Sequence, residues 1–228
     1  MAREKSMTQT PENIIQRIQQ IRKRKLRSIY ECASLLNIPR EHYLQFEEGT
    51  NPLTLPNIEL LASFFDVPLS SFFNDPTNET SPLSTLSQET RSAYKDLRHK
   101  MIQVKFILLR EEAGISLKYL HESTGVPLEA LENYDCGNSP IPLDHLCQIC
   151  SFLGQPINTF FSQEPDFIDD SETSLPQPKW KPEYPEGGNT EAQDTEDPYI
   201  QLVDALKKIP KEDQARFAKI LLNNLKSL

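Results

Sequence analysis

The chain has 228 residues, a net charge of −9, 37% hydrophobic residues and 25% charged ones, a size that allows one large domain or two small ones. No apolar run approaches the ~20 residues that a membrane helix needs, and the N-terminal stretch MAREKSMTQTPEN lacks the apolar core of a signal peptide. Four cysteines without a secretion signal argue against a disulfide scaffold, so the expectation is a soluble, cytoplasmic protein with no membrane contact.

The negative total hides an uneven distribution. Residues 14–73 carry 7 Lys+Arg against 6 Asp+Glu, with the positive charge concentrated in Arg22, Lys23, Arg24, Lys25 and Arg27. Residues 98–161 carry 5 against 7, and residues 162–228 carry 8 against 14. Only the first block is suited to face phosphates.

After a short arm at 1–13, the chain repeats itself at an offset of 88 residues without a gap. Arg22, Ser28, Pro39, Glu41, Gly49, Pro52, Leu55, Ser63, Phe64, Pro68, Phe72 and Phe73 recur as Arg110, Ser116, Pro127, Glu129, Gly137, Pro140, Leu143, Ser151, Phe152, Pro156, Phe160 and Phe161. Two copies of one small domain follow, at 14–73 and 89–161. In the first copy, Ile14, Ile18 and Ile21 have helical spacing. Ser28 and Glu31 form a capping-box pattern that opens a second helix, and Asn37 tolerates the left-handed conformation that would end it. Pro39 suits the first position of a third helix, which carries Tyr43 and Phe46 inward and stops near Gly49. Ile58, Leu61, Ala62 and Phe65 form the stripe of a fourth helix, which leaves Glu59 exposed. Leu69, Phe72 and Phe73 close the unit.

A polar linker at 74–88 precedes a long helix from about Glu89 to Ala113, and the second copy then follows the pattern of the first. Residues 162–197 hold eleven acidic residues, two lysines, five prolines and Gly187–Gly188, a composition that cannot bury a core. Residues 198–228 read as a hairpin of two amphipathic helices broken at Pro210. Its apolar faces need a partner, either the chain itself or a second subunit in a homodimer. The fold class is therefore all-α: two tandem five-helix domains, a disordered acidic linker and a C-terminal helical hairpin.

The segments SIYECASLLNIPREHYLQFEEG and SLKYLHESTGVPLEALENYDCG resemble the helix-turn-helix of the lambda-repressor/Cro class, the xenobiotic-response-element (XRE) family. The flanking PNIELLASFFDVPLSSFF and LDHLCQICSFLGQPINTFF are similar to its last two helices. This resemblance implies that the third helix enters the major groove of DNA and the second lies across it. DNA-binding members commonly place Gln after the Ser cap, where Ile29 and Leu117 stand here. A related protein, a bacterial rod-shape membrane protein, uses the same motif to bind an actin-like filament.

By analogy with the family, the groove-facing positions of the first copy are Arg40, Glu41, His42, Leu44 and Gln45. Arg and Gln can make bidentate contacts to guanine and adenine edges. Arg22, Lys23, Arg24, Lys25 and Arg27 would supply phosphate contacts, which orient a protein on DNA without reading sequence. The expected DNA-binding set is thus Arg22, Lys23, Arg24, Lys25, Arg27, Arg40, His42 and Gln45. The second copy offers Leu128, Glu129, Ala130, Glu132 and Asn133, a surface suited to a structural role. The functional expectation is a DNA-binding transcriptional regulator that reads double-stranded DNA with its first copy. The alternative is a protein-interaction adaptor that keeps the fold and has lost the groove chemistry.

Cys147-x-x-Cys150, with His145 and Cys136 nearby, raises the question of zinc, which needs four converging ligands. The two cysteines fall one turn apart on a helix, and Cys150 takes the place of the core residue Ala62, so packing explains them better. No nucleotide loop or nucleophilic triad is present, and the four histidines are scattered. The reading includes no enzyme activity, cofactor, metal or small-molecule ligand.

Overall fold

Each helix starts where the sequence supplies a cap or a proline. The computed structural model describes residues 10–73 and 86–161, together with Leu202, Asp204, Ala205, Lys207 and Lys208. Helix α1 (Pro11–Arg24) begins with Pro11 after Thr10, where the missing N–H costs no hydrogen bond. Helix α2 (Ile29–Leu36) carries the full capping box: the Glu31 amide donates to Ser28 Oγ at 3.1 Å, and the Ser28 amide donates to Glu31 Oε2 at 2.7 Å. It ends at Asn37, whose φ is 55°. Helix α3 (Arg40–Glu47) starts one residue later than its proline suggested, with Pro39 as the cap. Helix α4 (Leu55–Phe64) and a 3₁₀ turn (Leu69–Phe72) complete the first set.

The second set repeats this order. Helix α5 (Gln88–Glu112) is followed by α6 (Leu117–Thr124), α7 (Leu128–Asp135), α8 (Leu143–Leu153) and a 3₁₀ turn (Ile157–Phe160). At the 88-residue offset, the last part of α5 takes the place of α1, and its first half is an extension with no counterpart. Among the described residues all regular structure is helical, apart from one isolated antiparallel bridge. The linker core at 74–85, the acidic segment and the second helix of the C-terminal hairpin lie outside the described residues. Of that hairpin's first helix, Leu202 and Ala205 are buried in the same hydrophobic core as the helices. Ala205 sits beside α5 and the 137–141 loop, on a groove also lined by His99 and Gln103.

The extension of α5 accounts for a correction in α4. Glu59, expected on the exposed side, is 3% accessible, because this extension packs over α4. Arg98 donates to both Glu59 oxygens, through Nη2 to Oε1 at 2.6 Å and Nε to Oε2 at 3.0 Å, and Tyr94 Oη donates to Oε2 at 2.6 Å. A further Arg98 bond reaches the Phe160 carbonyl at 2.7 Å. One side chain thus joins α4, α5 and the end of the second set. Burial alone would lower the Arg98 pKa; the Glu59 carboxylate outweighs it and holds the guanidinium above its ordinary value.

The two sets also meet through equivalent residues. Thr54 forms the antiparallel bridge with Pro142, and the Leu143 amide donates to the Leu53 carbonyl at 2.9 Å. The rings of Phe73 and Phe161 lie 4.8 Å apart. Around this seam, His99 Nε2 bonds Thr54 Oγ1 at 3.0 Å, and Lys95 Nζ donates to the Leu36 carbonyl at 2.9 Å.

Positive φ recurs at matching places. Asn37 and Asp66 correspond to Gly125 and Gly154, and Leu26, at φ 53°, corresponds to Gly114 at φ 65°. A left-handed leucine brings its Cβ close to the next carbonyl, at a cost of roughly 1–2 kcal/mol.

Three outcomes follow from this architecture. Glu59→Leu strands the Arg98 charge in the interior and is expected to cost about 3–5 kcal/mol in urea unfolding, whereas Glu59→Leu/Arg98→Met together recovers most of that loss. Burial and the charges of Lys95, Arg98 and Lys100 push the His99 pKa from 6.5 down to about 4. Between these values the unfolded chain binds a proton that the folded chain refuses, so this group's contribution is present above pH 6.5 and is lost as the pH falls toward 4. His99→Gln should flatten the urea midpoint across that window, and an unchanged pH profile would remove His99 as its cause. Leu26→Gly relieves the backbone strain and is expected to raise stability by about 1 kcal/mol, after the extra chain entropy of glycine is subtracted; a fall in the melting temperature would contradict this.

Candidate nucleic-acid interface

The positive charge of the first set divides into groups that hold the fold and groups that face outward. Arg22 belongs to the first kind. It is buried, with Nε and Nη2 donating to the Glu47 carboxylate at 2.6 and 2.7 Å and Nη1 to the Arg27 carbonyl at 2.9 Å. The Glu47 hydrogen bonds hold its pKa above the ordinary value. The expectation that Arg22 contacts phosphate is therefore corrected: its guanidinium clamps α1 to α3. The second set builds the same clamp, with Arg110 donating to Asp135 Oδ1 at 2.9 Å and to the Ile115 carbonyl at 3.2 Å.

Lys23, Arg24 and Lys25 are exposed at the end of α1, where cations also complement the negative end of the helix dipole. Lys25 Nζ reaches the Asp66 carbonyl at 3.3 Å. Arg27 is half-buried, stacked 4.3 Å over the Phe64 ring and paired with Glu31 at 3.4 Å, so much of its hydrogen-bonding capacity is committed. On α3, Arg40, Glu41 and His42 are exposed, while Leu44 and Gln45 are half-buried. Asn51 Nδ2 approaches Gln45 Oε1 at 3.4 Å, and the Thr50 and Asn51 amides both donate to the Gln45 carbonyl. Glu47 is turned inward onto Arg22, which leaves Glu41 and Glu48 as the exposed acids on this stretch.

Two exposed groups escaped the sequence reading. Leu26 is 89% accessible and Tyr30 71%. They flank the start of α2, next to Lys25, Arg27 and Ile29. The signal for Leu26 was its alignment with Gly114, which marks a position where the backbone favours glycine. Tyr30 had no such signal.

In the second set, Glu111, Glu112, Ala113 and Ile115 stand where Lys23, Arg24, Lys25 and Arg27 stand in the first. On α7, Glu129 and Glu132 are exposed and Leu128 and Ala130 half-buried. Cys147 and Cys150 are both buried in α8, and burial pushes the Cys147 thiol up to about 12 and Cys150 also upward, away from the thiolate that a metal needs. Among the described residues, no three His, Cys, Asp or Glu side chains are placed to share a metal ion. Among the same residues, no helix is long and apolar enough to cross a membrane.

Residues 18–72 match the family model described as helix-turn-helix. The match covers α2, α3 and α4, the second half of α1 and the closing 3₁₀ turn, and therefore the whole arrangement around Lys23–Arg27 and Arg40. No curated protein and no solved structure matches the chain.

Proposed function

We propose that the protein is a non-catalytic DNA-binding regulator of the XRE type, in which α3 reads the major groove and the end of α1 grips the backbone. The observation that carries this reading is the division of charge in the first set. Lys23, Arg24 and Lys25 at the end of α1 and Arg40 and His42 on α3 all face solvent, while of the three acids on this stretch Glu47 is occupied by Arg22 and Glu41 and Glu48 are exposed. The net charge of −9 does not oppose this, since eleven of the acids lie in the 162–197 segment. Arg40 would read a guanine edge, and Lys23, Arg24 and Lys25 would neutralise phosphates. The second set would be structural, because Glu129 and Glu132 would repel phosphate.

One observation favours an adaptor role instead. Leu26, Ile29 and Tyr30 place apolar groups at the start of α2, where a DNA-binding relative would offer a polar side chain to phosphate. This surface suits a protein partner.

Full-length protein titrated with random-sequence duplex across a salt series separates the two. With about three phosphate contacts, the log–log slope of affinity against salt should be about −3. Arg40→Ala should weaken binding to a selected duplex about 5- to 150-fold, corresponding to about 1–3 kcal/mol, with little effect on the salt slope. Lys23→Ala/Arg24→Ala should instead flatten the slope by about two. Absence of binding at ~50 mM salt would refute the regulator and favour the adaptor.

A further inference from the structure

The seam between the two sets has the geometry of a dimer interface contained within one chain. Thr54 and Pro142 are the same position in the two copies, and so are Phe73 and Phe161. Each pair meets itself, in the antiparallel bridge and in a ring contact of 4.8 Å. A translation or a screw would bring together different positions. Only a two-fold axis running between the copies brings each residue to its own counterpart, and two self-pairs place that axis. The helix packing agrees, because α5 packs on α4 while α1, whose place α5 takes in the second set, packs on α8. This reciprocity defines an isologous interface.

The symmetry is broken where charge is concerned. On one side the axis places Arg98 against Glu59, buried with a separation of 2.6 Å. On the other side the same positions hold Thr10 and the buried Cys147. The seam therefore fits the two different halves of one chain, and two first halves facing each other would bury two Glu59 carboxylates with no cation. The reading helices are equally unlike: the exposed positions of α3 include Arg40 and His42, and those of α7 Glu129 and Glu132.

We infer that one chain is a complete, asymmetric pair of helical units of which only the first reads DNA, and that its DNA target is a single non-palindromic half-site bound by one chain. A symmetric dimer reads an inverted repeat because its two-fold axis coincides with that of the operator. Here the symmetric interface is already occupied internally and, of the equivalent helices α3 and α7, only α3 carries cations, so nothing among the described residues selects the second half of a palindrome. This inference rests on the regulator reading.

Two measurements on the full chain test it: selection of duplexes from a random library followed by sequencing, and native mass spectrometry of the chain with the enriched duplex. The expected result is one contiguous enriched block with no inverted copy, and one chain per duplex. An inverted repeat, or two chains bound cooperatively to one duplex, would overturn the asymmetric-site inference and leave the regulator reading standing. Retention of no DNA at low salt would overturn that reading and this inference with it.

Discussion

Glu59 and Arg98 place opposite full charges in the interior, and most of the architecture depends on their meeting. A carboxylate buried alone at that point in α4 would be costly enough to unfold a small helical domain or force the acid to take up a proton. Arg98 arrives on the extension of α5, brings Tyr94 with it, and also reaches the Phe160 carbonyl. The pair thus does more than satisfy itself. It requires the second set of helices to lie where it does, and it distinguishes the correct partner half from a copy of the first. Such a pair adds little net stability over a well-packed apolar contact, and its effect lies in specifying which surfaces meet.

What was legible in the sequence was mostly local. The Ser28–Glu31 box, the stop at Asn37, the prolines at helix starts and the Phe72–Phe73 closure depend on neighbours a few residues away, and their chemistry is written in the residue types. Glu59 was misread because its partner lies 39 residues further along, on a stretch of helix that the repeat does not duplicate. Arg22 was misread for a different reason, since a run of cations looks uniform until geometry divides it. The repeat did contain the answer. Of the five basic residues only Arg22 has a basic counterpart, Arg110, and each has an acid waiting on the third helix of its set, Glu47 on α3 and Asp135 on α7. Among the five, the residue with a counterpart in both copies holds the fold, whereas Lys23, Arg24 and Lys25, present in one copy, stay exposed.

The same sorting clarifies Leu26. Its counterpart Gly114 fits the left-handed backbone without strain, so the leucine is the departure. A residue that is both strained and almost wholly exposed contributes nothing to the core to offset its cost. Retained strain of this kind clusters where chains make contact with something else, and here it borders the basic end of α1 and the start of α2. Whichever ligand that face meets, the leucine and Tyr30 give it an apolar component that lysines and arginines alone would lack.

The seam's reciprocal contacts do not specify that both halves come from the same molecule. The first half of one chain and the second half of another could form the identical bridge, ring pair and ion pair, giving an exchanged dimer with no new interaction. What favours the closed form is the short connection between residues 73 and 86, which sets a high effective concentration of one half about the other. Shortening that tether until it cannot span the seam would turn the closed chain into an obligate exchanged pair, carrying two copies of α3 where the closed chain carries one.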